Sequence, residues 1–227
     1  MKYSKIIKTL KSQRNPRNIE GMARFGISRK GTLGISIPIL RKMGKDIGKD
    51  HALAKKLWAS RIHEARMLAI FIGEPEKVTE KEMSIWVKDI DSWDICDQLC
   101  SNLWDRTPFA YKKAFQWSRR REEFVKRTGF VLMATLSVHD KQATNATFEK
   151  FFPIMIREAQ DKRNYVKKAV NWSLRQIGKR NLSLNKKAVT VAKRIQKLDS
   201  RSARWIANDA IRELTSKKTL EQIKKRS

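Results

Sequence analysis

"EFVKRTGFVLMATL" at residues 123–136, "NYVKKAVNWSLRQI" at 164–177 and "SRSARWIANDAIRE" at 200–213 share one arrangement. In each, basic residues stand one turn ahead of an apolar run, and the three begin 41 and 36 residues apart. A weaker echo, "RIHEARMLAIFI", occupies 61–72. The apolar residues return at helical spacing, and between the three lie further amphipathic stretches, so the unit that repeats is a helix pair. No strand pair or Asn-Gly or Asp-Gly hairpin signal interrupts them. One such pair cannot bury its apolar face alone, so successive pairs must stack.

A helix pair about every 40 residues is the mark of the HEAT class of α-solenoid. The expectation is an all-α, HEAT-like α-solenoid of antiparallel helix pairs, with the second helix of each pair lining a concave basic groove. The nine glycines and five prolines among 227 residues are few, as long helices with short connections require. Residues 1–227 read as a single HEAT-like repeat domain. Its end, "SKKTLEQIKKRS" (216–227), reads as an extra helix, a DNA clamp or a flexible basic tail.

Helix starts are legible locally. Ser36 with Pro38, Asp50, Thr79 with Glu82 as a capping box, and Ser200 read as starts. Pro108 opens "PFAYKKAFQWSRR", Thr144 or Asn145 opens the stretch running to Gln160, and Asn185 starts "KKAVTVAKRIQKL".

Charge narrows the partner. Fifty-one Lys and Arg against 23 Asp and Glu leave a formal net charge of +28, which points to nucleic acid phosphates first and an anionic membrane surface second. The longest apolar stretch, 130–138, falls short of the roughly 20 residues a spanning helix needs. The N-terminus, broken by Lys5, Lys8 and Lys11, has no signal-peptide core. Two cysteines, Cys96 and Cys100, four apart on one helix, suit neither a disulfide nor a zinc site. The expected compartment is the cytoplasm, with the protein held on the nucleoid by DNA. His51, His63 and His139 are scattered, so no metal is expected, and no Gly-rich phosphate loop supports a nucleotide cofactor.

Read together, the second helices offer Lys126, Arg127, Lys167, Lys168, Arg201 and Arg204 as a track that follows a duplex backbone without reading its sequence. Trp58, Trp86, Trp117 and Trp205 read as core. Trp172, after Asn171 and before the Arg175 turn, and Trp93, at a helix start, read as surface aromatics. Against this basic background stands "DSWDICD" (91–97). Asp94 suits the helix dipole, whereas Trp93 and Asp97, four apart, share a face and can reach one ligand.

The ordered set "MARFGI" (22–27), "ISIPILRKMGKDIGKDHALAKKLW" (35–58), "IHEARMLA" (62–69), "DSWDICD", "FVKRTGFVLMA" (124–134) and "KKAVNWSLRQIGKRN" (167–181) resembles the AlkD-type DNA alkylation-repair proteins, HEAT-like-repeat DNA glycosylases, over residues 15–214. The resemblance implies a monofunctional glycosylase that hydrolyses the N-glycosidic bond of N3- and N7-alkylated purines in duplex DNA without flipping the base. No cofactor is expected, and a solenoid that wraps duplex can work as a monomer. The resemblance implies Asp97 as the catalytic carboxylate, Trp93, Trp172 and Phe25 as lesion- and sugar-contacting residues, and Arg127 on a phosphate; from the basic track, Lys126, Lys167, Lys168 and Arg204, with Arg175, are the further phosphate contacts expected. Two positions depart from the family pattern: Asn171 replaces a glycine and Phe25 a tyrosine. The competing reading is a non-catalytic HEAT-repeat protein that binds damaged or branched DNA.

Overall fold

The computed structural model describes residues 2–225, which fold into α-helices joined by turns and short 3-10 segments. By internal packing the chain divides into two units, 1–108 and 109–227.

The first unit holds α1 (Tyr3–Ser12), α2 (Pro16–Arg24), α3 (Ile37–Ile47), α4 (His51–Ala59), α5 (His63–Ile72), α6 (Glu80–Trp86) and α7 (Trp93–Asn102). Three residues separate α4 from α5, so the two pack as an antiparallel pair, and α3, α5 and α7 stack in turn. Nine of the ten α5 residues are buried, as expected of a helix that is apolar nearly all round and central to its unit. Trp58 and Trp86 stack with ring centroids 4.4 Å apart and planes 4° from parallel, tying α4 to α6. The Trp58 indole donates to Asp89 Oδ2 at 3.1 Å.

The second unit holds α8 (Ala110–Trp117), α9 (Glu123–His139), α10 (Asn145–Glu149), α11 (Phe152–Glu158), α12 (Asn164–Gly178), α13 (Leu182–Gln196), α14 (Arg201–Leu214) and α15 (Lys217–Lys224). The three stretches that define the repeat are α9, α12 and α14. They stack in that order, with α8 against α9 and α13 against α12 and α14. Gly129 permits the closest approach: a Cβ there would stand 2.9 Å from both Ser118 Cα and Trp117 C, which are backbone atoms of the preceding turn and cannot yield.

Asp50 and Ser200 accept from Leu53 and Ala203 amides as N-caps. The capping box at Thr79 is half made. Thr79 accepts from the Glu82 amide, but the Glu82 carboxylate goes to His51 Nε2 at 3.1 Å instead of returning to Thr79. Ser36 stands at the cap of α3 without a side-chain hydrogen bond, leaving that start to Pro38 in the first turn. The helix expected from Thr144 to Gln160 is two, broken at Lys150 and Phe151 ahead of Pro153, whose ring and missing N–H cannot continue a helix. The helix expected from Asn185 begins at Leu182 under an Asn181 cap, and Asn185 is buried inside it with Nδ2 on the Leu214 carbonyl at 3.1 Å.

The C-terminal segment forms α15, capped by Ser216 and anchored by buried Thr219 and Ile223 against α13 and α14. Of the expected flexible tail, only residues 226 and 227 lie outside the described residues. No helix among the described residues is long and apolar enough to cross a membrane.

Candidate nucleic-acid interface

The acids of 91–97 separate once their partners are seen. Asp91, mostly exposed, lies 3.9 Å from Arg66, which is buried over the Trp58 ring and donates to the Asp89 carbonyl at 2.9 Å. Asp94 accepts from His63 Nε2 at 2.9 Å, and its other oxygen takes the Ile95 amide. Burial pushes the His63 pKa down, but the Asp94 hydrogen bond and charge outweigh it and hold the imidazole above its ordinary 6.5. Burial likewise pushes the Asp94 carboxyl up, but the His63 hydrogen bond and charge prevail and hold it below 3.8. Asp94 is thus structural, as its place in the first turn suggested.

The pair has a pH signature. A raised histidine pKa contributes stability in full below about pH 6.5, lost as pH rises through the folded value. A lowered aspartate pKa contributes above about pH 3.8, lost as pH falls through its folded value. Asp94→Asn is therefore expected to cost about 2 kcal/mol near pH 5.5 and clearly less near pH 8.5, read from urea unfolding at the two values. A pH-independent difference would remove the ion pair from the account.

Trp93 and Asp97, both half-buried, stand four apart on α7 and so on one face. The Trp93 indole donates to the Phe25 carbonyl at 2.9 Å, which fixes the ring to the turn after α2. The Phe25 side chain itself is 71% exposed, between exposed Arg24 and the positive-φ Gly26. Beyond this turn, residues 33–35 hang on buried Glu64, whose carboxylate accepts from the amides of Leu33 at 2.8 Å, Gly34 at 2.7 Å and Ile35 at 3.4 Å. Phe25, Trp93 and Asp97 thus come together in the first unit.

The cations assigned to phosphates lie in the second unit, and most already hold partners. Lys126 Nζ is 2.6 Å from Glu158 and 3.3 Å from Asp161. Arg127 is only 5% exposed, with Nη1 on the Tyr165 carbonyl at 2.7 Å, so it clamps the start of α12. Arg175 pairs with Glu213 and lies 3.6 Å from Asp209, while Lys179 holds the other Glu213 oxygen at 2.6 Å. Burial pushes the Glu213 carboxyl up, but the hydrogen bonds from Lys179 and Arg175 hold it below its usual range. Lys168 is exposed, and Arg204, also exposed, lies 3.4 Å from Asp199. Trp172 is half-buried on α12, next to buried Asn171, whose Nδ2 donates to the Ile206 carbonyl at 3.1 Å and ties α12 to α14.

Trp58, Trp86 and Trp117 are buried as the spacing required, but Trp205, expected in the core, is 41% exposed with Lys167 Nζ 4.7 Å over its ring. The buried stripe of α14 is Ala203, Ile206, Ala207, Ala210 and Leu214, and residue 205 lies off it. That offset was available in the sequence. A second feature carried no motif: Arg41, Lys45, Lys49 and Arg106 surround a cleft of about 380 Å³ in the first unit. Lys49 there donates to the Phe71 and Gly73 carbonyls at 3.0 and 2.9 Å. Burial and the neighbouring Arg106 charge together lower its pKa.

A family model described as DNA alkylation repair enzyme matches residues 6–214. Among solved structures, one described as "a new family of proteins related to the HEAT-like repeat DNA glycosylases with affinity for branched DNA structures" superposes with a TM-score of 0.78. It is 16% identical, and the match covers 93% of this chain and 95% of that one. That likeness establishes the all-α, HEAT-like fold. No curated protein sequence matches.

Proposed function

Because this chain belongs to the DNA alkylation repair enzyme family, we propose that it binds alkylated duplex DNA and hydrolyses the N-glycosidic bond of N3- and N7-alkylated purines. The observation that carries the reading is the placement of Asp97 one turn from Trp93, itself pinned to the Phe25 turn. An N-alkylated purine is cationic, so its bond to the sugar is already weak and the departing base needs no general acid. What develops is positive charge on the deoxyribose. A carboxylate at that sugar stabilises the charge and orients the attacking water, as carboxylates do at other glycosidic centres. Asp97 takes that role, and Trp93 and the exposed Phe25 pack on the sugar and backbone of the damaged nucleotide. Trp172 offers a second aromatic surface.

Backbone binding falls first to the exposed cations, Lys168 and Arg204. Lys126, Lys167 and Arg175 reach a phosphate only by giving up the partners they now hold, and Arg127 acts by positioning the start of α12. Each phosphate that a cation neutralises releases condensed counterions, so DNA affinity falls with salt by about 0.9 log unit per log unit of salt for each such contact.

A second reading is binding without excision, favoured by the likeness in fold to the relative described as having affinity for branched DNA structures. One experiment separates the two: single-turnover release of 7-methylguanine and 3-methyladenine from alkylated duplex, with affinity followed over a salt series. Release together with steeply salt-dependent binding supports the glycosylase. Binding alone, tighter to branched than to linear duplex, supports the second reading.

A further inference from the structure

We infer that the cleft at the start of α14 is a platform for an unpaired DNA nucleotide, whose base stacks on Trp205 while its phosphates meet the surrounding cations. The inference rests on the DNA-binding reading but not on base excision. Its first support is Trp205 itself. A tryptophan carries the largest apolar surface of any side chain, and leaving 41% of it in water forgoes burial that the rest of α14 achieves. Lys167 holds the ring from one side through its ammonium, 4.7 Å from the centroid, so the indole is oriented without being buried.

The second support is charge. The cleft, about 670 Å³, is lined by Lys162, Lys167, Arg201 and Arg204, and among the described residues the sole carboxylate in its lining is Asp199. Asp199 is wholly exposed and 3.4 Å from Arg204, and an exposed pair of that kind is weak and yields to a phosphate. An aromatic face ringed by cations matches the two chemical parts of a nucleotide, and base–aromatic stacking tolerates any base. In an intact duplex both faces of each base are covered by neighbours. Only a nucleotide released from pairing, as at a gap, flap or branch point, can lay its base on an indole. The same cations select the polyanion over a neutral ligand, in keeping with a chain of net charge +28.

The test measures the affinity of the full-length protein for an intact duplex and for the same duplex carrying a short single-stranded gap, with AMP as a competitor. Wild type should prefer the gapped form. Trp205→Ala should lose about tenfold on gapped DNA while staying within about twofold on the intact duplex. Trp205→Phe should keep most of the preference, and thermal unfolding of both variants checks that each is folded at the temperature of the binding assay. Equal losses on both DNAs, or none on either, would overturn the platform while leaving duplex binding in place. AMP displacing gapped DNA at equal phosphate concentration would overturn a DNA strand as the occupant. If wild type binds neither DNA, the DNA-binding reading itself fails and the platform falls with it.

Discussion

Asp97→Asn is expected to slow single-turnover release of 7-methylguanine and 3-methyladenine by about 10²- to 10³-fold while leaving DNA affinity within about twofold. The magnitude is that of removing one preorganised electrostatic group from a centre where charge develops. Affinity should survive because a carboxylate adds nothing to the binding of a polyanion. Removing a negative charge that faces a polyanion should tighten the complex slightly. Asparagine keeps the size and half of the acceptor capacity at this half-buried position on α7, and thermal unfolding beside wild type checks that the fold is kept. Asp94→Asn is the control, since Asp94 is engaged with His63. It should alter stability with pH and leave the release rate per folded molecule near that of wild type. Equal loss of release in both variants would mean that α7 had been disturbed, and unchanged release in Asp97→Asn would remove Asp97 from the chemistry.

Glu64→Ala carries the largest expected effect on stability, about 4 kcal/mol. Its carboxylate is fully buried and accepts from three consecutive amides, Leu33, Gly34 and Ile35. Hydrogen bonds to a charged group are worth more than neutral ones, and truncation leaves these N–H groups without an acceptor in the interior. The segment packs closely at its centre: Gly34 sits at φ +80°, and a Cβ there would run into the Asn15 carbonyl oxygen. For a chain of this size the loss corresponds to a fall in Tm of roughly 8–16 °C. Glu64→Gln should cost less than Glu64→Ala, because its oxygen still serves one amide while its NH2 faces the others. Equal stability of Glu64→Ala and wild type in thermal and urea unfolding would show that the segment is held by other means. The segment shares one connection, between α2 and α3, with the Phe25 turn, so the variant should also loosen the Trp93–Phe25 contact and raise the protease sensitivity of residues 25–36.

Helix positions and their stacking order were legible because the signals are local. The apolar runs of 123–136, 164–177 and 200–213 became α9, α12 and α14, stacked as their repetition required. Misreadings were local too. Pro153 divides a helix that amphipathicity alone would continue, and Asn181 caps one that Asn185 was expected to start. Asp94 and Asp97, three residues apart, were told apart by place in the helix, a reading that the His63 bond supports for Asp94.

The sequence by itself determined an all-helical chain, the order in which its apolar faces stack, and the excess of positive charge. These follow from 3.6-residue periodicity, capping and composition, none of which depends on what lies across the fold. Only the tertiary structure decided which cations remain available to a partner. Lys126 and Arg175 meet Glu158, Asp161, Asp209 and Glu213, acids 32 to 38 residues away along the chain, and Arg127 meets a carbonyl 38 residues on. A charge interaction depends on distance in space and on burial. Helices of neighbouring repeats bring such residues within hydrogen-bonding reach whatever their separation in sequence. Helix register already set Trp205 off the buried stripe of α14, and the same stacking then brought the Lys167 ammonium over its ring.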